Sequence, residues 1–149
     1  MNFTPKERSL LCELKEQEEL CIEKYSRAAA AAADGQLKGL FNHLRDLEQQ
    51  HLNTLTGIES GTLPDLTPKP APPIPTFTPV YTAETQDKKN DCFLCTDLLS
   101  GEKHVSALYD TSVFEFRDDN VRSALNHIQK EEQTHGKMLY NYMSVNGMY

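Results

Sequence analysis

The sequence predicts an all-α protein, a four-helix bundle built from two helical hairpins and a long proline-rich crossover. Three observations predict it. Four stretches carry apolar residues at three- and four-residue spacings, the mark of a helix with one buried face. A proline-rich segment between the second and third stretches cannot itself be helical. A shift of 84 residues lays the second half of the chain on the first, so that Glu18, Tyr25, Glu48 and His51 recur as Glu102, Tyr109, Glu132 and His135.

Thr4-Pro5-Lys6-Glu7 reads as an N-cap, a proline at the first helical position and a capping-box glutamate at the third. The first helix is expected over residues 5–33, with Leu10, Leu11, Leu14, Cys21, Ile22, Tyr25, Ala28, Ala29 and Ala32 inward and Asp34-Gly35 as its stop. The alanines from Ala28 to Ala33 favour helix and let a neighbouring helix approach closely. A second helix over 36–56 presents Leu37, Leu40, Phe41, Leu44, Leu52 and Leu55, with Gly57 as its stop. So short a connection implies an antiparallel hairpin.

Residues 58–85 form the crossover, where TPKPAPPIPTFTP excludes helix. At about 3.1 Å per residue, some 25 extended residues reach roughly 75 Å, against about 32 Å for a 21-residue helix. The crossover can therefore travel the whole bundle and let the third helix run parallel to the second. Ile74, Phe77, Val80 and Tyr81 supply apolar surface for a groove of the bundle or for a partner.

The third helix is expected over 88–117, with Cys95, Leu98, Val105, Tyr109, Val113 and Phe116 on one face. Asp118-Asp119-Asn120 breaks it and caps the fourth, expected over 120–145 with Val121, Leu125, Ile128, Leu139 and Tyr142 inward and Gly147 as its stop. The repeat includes core positions as well, since Leu14, Leu37, Phe41, Leu44 and Leu55 fall on Leu98, Val121, Leu125, Ile128 and Leu139. One domain, residues 1–149, accounts for the length.

A net charge of -7 and a pI near 5.2 argue against nucleic acid or an anionic membrane as partner, since both attract clustered Lys and Arg. The N-terminal stretch carries charges where a signal peptide needs an apolar run, so synthesis in the cytoplasm is expected. Cys12, Cys21, Cys92 and Cys95 are too few and too unevenly placed for a disulfide framework and are read as reduced thiols. Cys92-x-x-Cys95 lacks the second ligand pair of a zinc site. His43, His104 and His127 are read as surface or satisfied histidines.

The chemistry lies in the repeated polar positions. Glu18, Glu48, His51, Glu102, Glu132 and His135 each sit where the helical stripe calls for an apolar residue. Four buried carboxylates demand protons or cations. Two divalent ions carry +4 against four carboxylates and leave the imidazoles neutral, as metal ligands should be. Glu48-x-x-His51 and Glu132-x-x-His135 place each pair on one helical face. Glu plus Glu-x-x-His, written twice, is the set with which four-helix bundles hold two transition-metal ions, and iron and manganese both suit it. Tyr25 and Tyr109, two turns beyond Glu18 and Glu102, are placed either to hydrogen-bond a ligating carboxylate or to pack in the core.

This pattern resembles the ferritin-like superfamily of bacterioferritins and rubrerythrins across both helical halves. More narrowly, KEQEELCIEKYSRAA, LRDLEQQHLNTL, DLLSGEKHVSALYD and HGKMLYNYMSVNGMY look like the Coat F group of spore coat proteins of endospore-forming Firmicutes. The closing Asn146-Gly147-Met148-Tyr149 is similar to that group's Gly-Trp-Tyr ending, with Met148 in place of tryptophan. The ferritin-like resemblance implies Glu18 and Glu102 as terminal ligands, Glu48 and Glu132 as bridging ligands, and His51 and His135 on one metal each. The Coat F resemblance implies a spore coat location, with other coat proteins and a second copy of the chain, as a homodimer, for partners. Two further readings follow: a di-iron or di-manganese centre that oxidises ferrous iron or destroys peroxide, and a metal-free interaction module using the crossover and Tyr140, Tyr142 and Tyr149.

Overall fold

Each helix begins where a side chain can serve its first N–H groups, or where a turn is held from outside. In the computed structural model, which describes residues 1–149, α1 spans Pro5–Ala31, α2 Gly35–Glu59, α3 Gln86–Val113 and α4 Asp119–Val145. Thr4 Oγ1 accepts from Glu7 N at 3.1 Å while Glu7 Oε2 accepts from Thr4 N at 2.7 Å, the reciprocal capping box. Thr85 caps α3 through the Lys88 N–H, and Asp118 caps α4 through those of Asn120 and Val121.

The helix ends depart from expectation for identifiable reasons. Helix α1 stops at Ala31, not 33, because the N–H groups of Ala33 and Asp34 turn to the carboxylate of Asp91 at 2.9 and 3.1 Å. Gly35 is therefore the first residue of α2 and not the stop of α1. Helix α2 continues through Gly57 to Glu59, and the left-handed glycine that ends it is Gly61, with φ +90. Helix α3 ends at Val113, short of 117, so Phe116 lies in the turn, yet it is fully buried and meets Phe3 edge-on at 6.3 Å. Helix α4 stops as expected at Gly147, with φ +66.

Hairpins α1–α2 and α3–α4 pack face to face, α1 against α3 and α2 against α4. Glu18 meets Tyr109 and Tyr25 meets Glu102, so α1 and α3 are antiparallel; His51 with Glu132 and His135 with Glu48 say the same of α2 and α4. It follows that α2 and α3 run parallel, and the crossover must traverse the bundle. Leu63 and Leu66 pack near the end where α2 stops, and Ile74 and Phe77 near the opposite end. Gln36 exchanges hydrogen bonds with the Thr78 backbone at 3.0 and 3.1 Å. Asn146 Oδ1 accepts from Val80 N at 2.9 Å and Tyr81 N at 3.3 Å. Of the apolar crossover residues named above, Val80 stays exposed while Ile74 and Phe77 cover the protein's own core.

That core is divided. One cluster holds Tyr25, Leu37, Phe41, Leu44 and Leu139, and another holds Leu11, Leu14, Leu55, Val121 and Ile128. Between them lies a buried polar layer. No helix is long and apolar enough to cross a membrane.

Candidate metal centre

The polar layer consists of the six residues singled out by the repeat. Glu18, Glu48, His51, Glu102, Glu132 and His135 come from all four helices, and none is more than 4% exposed. They form two groups, Glu18, Glu48, His51 and Glu132 on one side and Glu48, Glu102, Glu132 and His135 on the other, each with ligand atoms within 4.8 Å of one another. Glu48 and Glu132 belong to both groups. The imidazoles stack 5.3 Å apart and nearly parallel.

Contacts across the layer are reciprocal. His51 Nδ1 lies 2.9 Å from Glu132 Oε1 and 3.1 Å from Glu48 Oε2, and His135 Nδ1 lies 2.8 Å from Glu48 Oε1. Tyr25 donates to Glu102 Oε1 and Tyr109 donates to Glu18 Oε1, each phenol reaching the carboxylate of the opposite hairpin. The tyrosines thus do both things their spacing allowed, packing in the core and orienting a carboxylate. Burial, and after it the facing carboxylates, raise both phenols well above the ordinary tyrosine range, so they remain donors.

The metal-free cluster settles its charge internally. Burial first, and then the neighbouring carboxylate that shares its proton, pushes Glu18 and Glu102 well above the usual carboxylate range. Burial also works against ionised Glu48 and Glu132, but hydrogen bonds from the imidazoles and the protonated acids outweigh it and hold both low. Burial disfavours charged His51 and His135 too, and here the surrounding carboxylates win and raise both. The two raised acids and the two raised imidazoles thus lie against the two lowered carboxylates. Even so, Oε2 of Glu18, Glu102 and Glu132 is buried without a hydrogen-bond partner. Acceptor oxygens left over at the middle of a ring of carboxylates, with both Nδ1 atoms aimed at the same place, fit divalent cations.

The repeat also contains groups the sequence reading passed over. Glu7 and Asp91 are 84 residues apart, as are Ala33 and Arg117. Glu7 Oε1 accepts from Arg117 N at 3.0 Å, while Asp91 Oδ1 accepts from Ala33 N at 2.9 Å. Each hairpin thereby supplies a buried acid that closes the turn of the other. Glu7 is held down at about 2, against the pull of burial, by hydrogen bonds from Arg117 and Thr4. Asp91 also accepts from the Tyr81 hydroxyl at 2.5 Å, which ties in the crossover. Tyr142, expected inward on α4, is fully buried and donates to Asp34 Oδ2 at 2.8 Å, which leaves it unavailable to the tail surface of the metal-free interaction reading. Extending the shift to polar residues at helix starts and turns would have exposed both clamps.

Glu131 was likewise unforeseen. Its Oε1 stands 3.5 Å from His51 Nε2 and 2.9 Å from exposed His127 Nε2. The equivalent of Glu131 in the first half is Leu47, so His135 Nε2 has no such neighbour. His43 and His104 are exposed, and all four cysteines are free thiols, with Cys21 and Cys95 buried.

Residues 90–149, which hold nearly all of α3 and the whole of α4, match the family model of the Coat F domain. No curated protein and no solved structure matches the chain. The matched stretch includes Glu102, Glu132 and His135, one half of the polar layer, together with Tyr109 and the Asn146 that anchors the crossover. Over this second hairpin, the chain is similar to the Coat F domain.

Proposed function

We propose that this chain is a spore coat protein, a ferritin-like bundle holding two transition-metal ions, iron or manganese, in its polar layer. Glu18, Glu48, His51 and Glu132 would hold one ion, and Glu102, His135, Glu48 and Glu132 the other. The observation that carries the reading is the sharing of Glu48 and Glu132 between two four-residue groups. That arrangement suits carboxylates bridging two cations, and it agrees with charge balance between four carboxylates and two divalent ions. Tyr25 and Tyr109 hold the outer carboxylates in orientation from the opposite hairpin. The apolar clusters above and below flank the layer along the bundle axis. When bound, a pair of redox metals supplies the capacity to exchange two electrons with dioxygen or peroxide. Other coat proteins are the partners of this reading, and a homodimer, to be checked by light scattering, is its assembly.

Elemental analysis of protein purified without chelator, and again after anaerobic reconstitution, is expected to give two ions per chain. Less than about a tenth of that after both treatments refutes the reading. Peroxide disproportionation and ferrous oxidation, compared between wild type and Glu48→Ala, then decide whether the centre turns over. Equal background rates in both proteins argue for a structural centre.

One observation favours a second reading, a metal-free polar layer that serves specificity of packing. The imidazoles and carboxylates already pair across the hairpins at 2.8 and 2.9 Å. A melting temperature unmoved by chelation supports it.

A further inference from the structure

The repeat that builds the polar layer breaks on one wall of the bundle. A cleft of about 530 Å³ opens along α3 and α4, and Glu102 and Glu132 form part of its lining. Both are nearly buried, and Oε2 of each is without a hydrogen-bond partner. The cleft depends on Gly136, where a Cβ would meet only Leu99 Cδ1, at an ordinary 3.5 Å. Eighty-four residues earlier the position is Leu52, a half-buried leucine in place of the glycine. Exposed Lys103 and Lys137 flank the cleft, and their equivalents are Glu19 and Asn53. Tyr149 lies edge-on to Tyr140 at 5.0 Å along the outer rim.

We propose that this cleft is the route by which small neutral or anionic solutes, of the size of dioxygen, peroxide or azide, reach the carboxylate–histidine centre. Lys103 and Lys137 select against cations. The proposal rests on the dinuclear reading for what lies at the end of the route, while the route itself rests on the cleft. In a chain with net charge -7, two ammonium groups beside one concave opening reverse the local field, and concave low-dielectric walls concentrate that field on an entering ion. The opposite wall has a leucine for the glycine and an acid and an amide for the lysines.

The test uses thiol reagents that differ only in charge, a methanethiosulfonate bearing a sulfonate and one bearing a trimethylammonium group. They are applied to Gly136→Cys and, separately, to Leu52→Cys in a Cys12→Ser/Cys92→Ser background, with and without metal. At position 136 the anionic reagent is expected to react about ten-fold faster than the cationic one, with the ratio shrinking as salt rises. At position 52 the preference is expected to invert. The same preference at both positions overturns the proposal. In metal-loaded protein with wild-type Gly136, Lys103→Gln/Lys137→Gln should slow azide association, followed by its charge-transfer absorption, about ten-fold while two ions per chain remain. Azide association unchanged at full metal content overturns the route. Failure of wild type to bind metal overturns the dinuclear reading, and the thiol rates still judge the cleft.

Discussion

The two hairpins are the same device written twice, and they differ where the device meets solvent. At the centre they are interchangeable: each contributes a Glu, a Tyr and a Glu-x-x-His, and each phenol reaches across to the other's carboxylate. At the walls they part. The first hairpin has Leu52, Leu47 and Glu19 where the second has Gly136, Glu131 and Lys103. Residues that must balance buried charge have few substitutes, because an unmatched carboxylate in the core is costly. Wall residues face water and are free to specialise. The shared positions therefore carry the polar layer, and the divergent ones its walls.

The comparison breaks most severely if the centre is emptied. Each ion held at a hundred times its dissociation constant adds about 2.7 kcal/mol, so chelation is expected to lower the melting temperature by on the order of 10 °C. Glu48→Gln with Glu132→Gln should abolish that dependence on metal. The pH profile sharpens the point. In metal-free protein Glu18, Glu102, His51 and His135 all have raised folded values. Their contribution is complete at low pH and is lost as pH rises, from about 4.5 for the acids and about 6.5 for the histidines. The lowered Glu48 and Glu132 matter in the opposite sense, and only as pH falls below that range. Metal-free protein should thus melt lower at pH 8 than at pH 5. Metal-loaded protein should show the reverse, because its ligands must shed protons to bind. Thermal melts across pH with and without chelator check this, and a flat metal-free profile contradicts it.

Next in size are the turn clamps. Asp91 is fully buried and accepts from two backbone N–H groups and a phenol, so Asp91→Ala is expected to cost about 3 kcal/mol in chemical denaturation. Glu7→Ala is expected to cost less, about 2 kcal/mol, because the Arg117 side chain that pairs with it is largely exposed and screened. Glu7 also sets an acid limit. Its lowered folded value means that the stability it contributes is present above about 4.5 and is lost as pH falls toward about 2. Equal costs for the two substitutions would show that the clamps are as interchangeable as the centre.

A smaller effect tests symmetry directly. Tyr25→Phe and Tyr109→Phe each remove one hydrogen bond to a buried carboxyl group and should each cost about 1.5 kcal/mol. A difference larger than about 0.5 kcal/mol between them places an asymmetry inside the centre as well as at its walls. The smallest global effect is expected from Asn146→Ala, which frees the crossover at Val80 and Tyr81. Its readout is faster proteolysis between 60 and 85, with global stability within about 1 kcal/mol of wild type.

Much of this was legible in the residues. Glu18 between Leu14 and Tyr25, on a stripe otherwise apolar, can only be inward if the stripe is inward, and its recurrence at Glu102 removes chance. The capping box at Thr4 and the prolines of the crossover are local signals with local outcomes. The ends of α1 and α3 were misread because their stops are not local. Nothing near Ala32 or Val113 in sequence says that the Ala33 and Asp34 N–H groups will be met by Asp91, or that of Arg117 by Glu7, from the other hairpin.

The sequence by itself determined the helices, their inward faces and the six polar residues placed in the core, since periodicity and propensity act over a few neighbouring residues. Only the tertiary structure decided which carboxylate faces which imidazole, that Glu48 and Glu132 are common to both groups, and that a cleft lined by Gly136 reaches Glu102 and Glu132. Those are relations between residues tens of positions apart. They are settled when two hairpins dock and each buried polar group must find its partner on the other, because in a low-dielectric interior an unpartnered charge costs more than any local preference can offset.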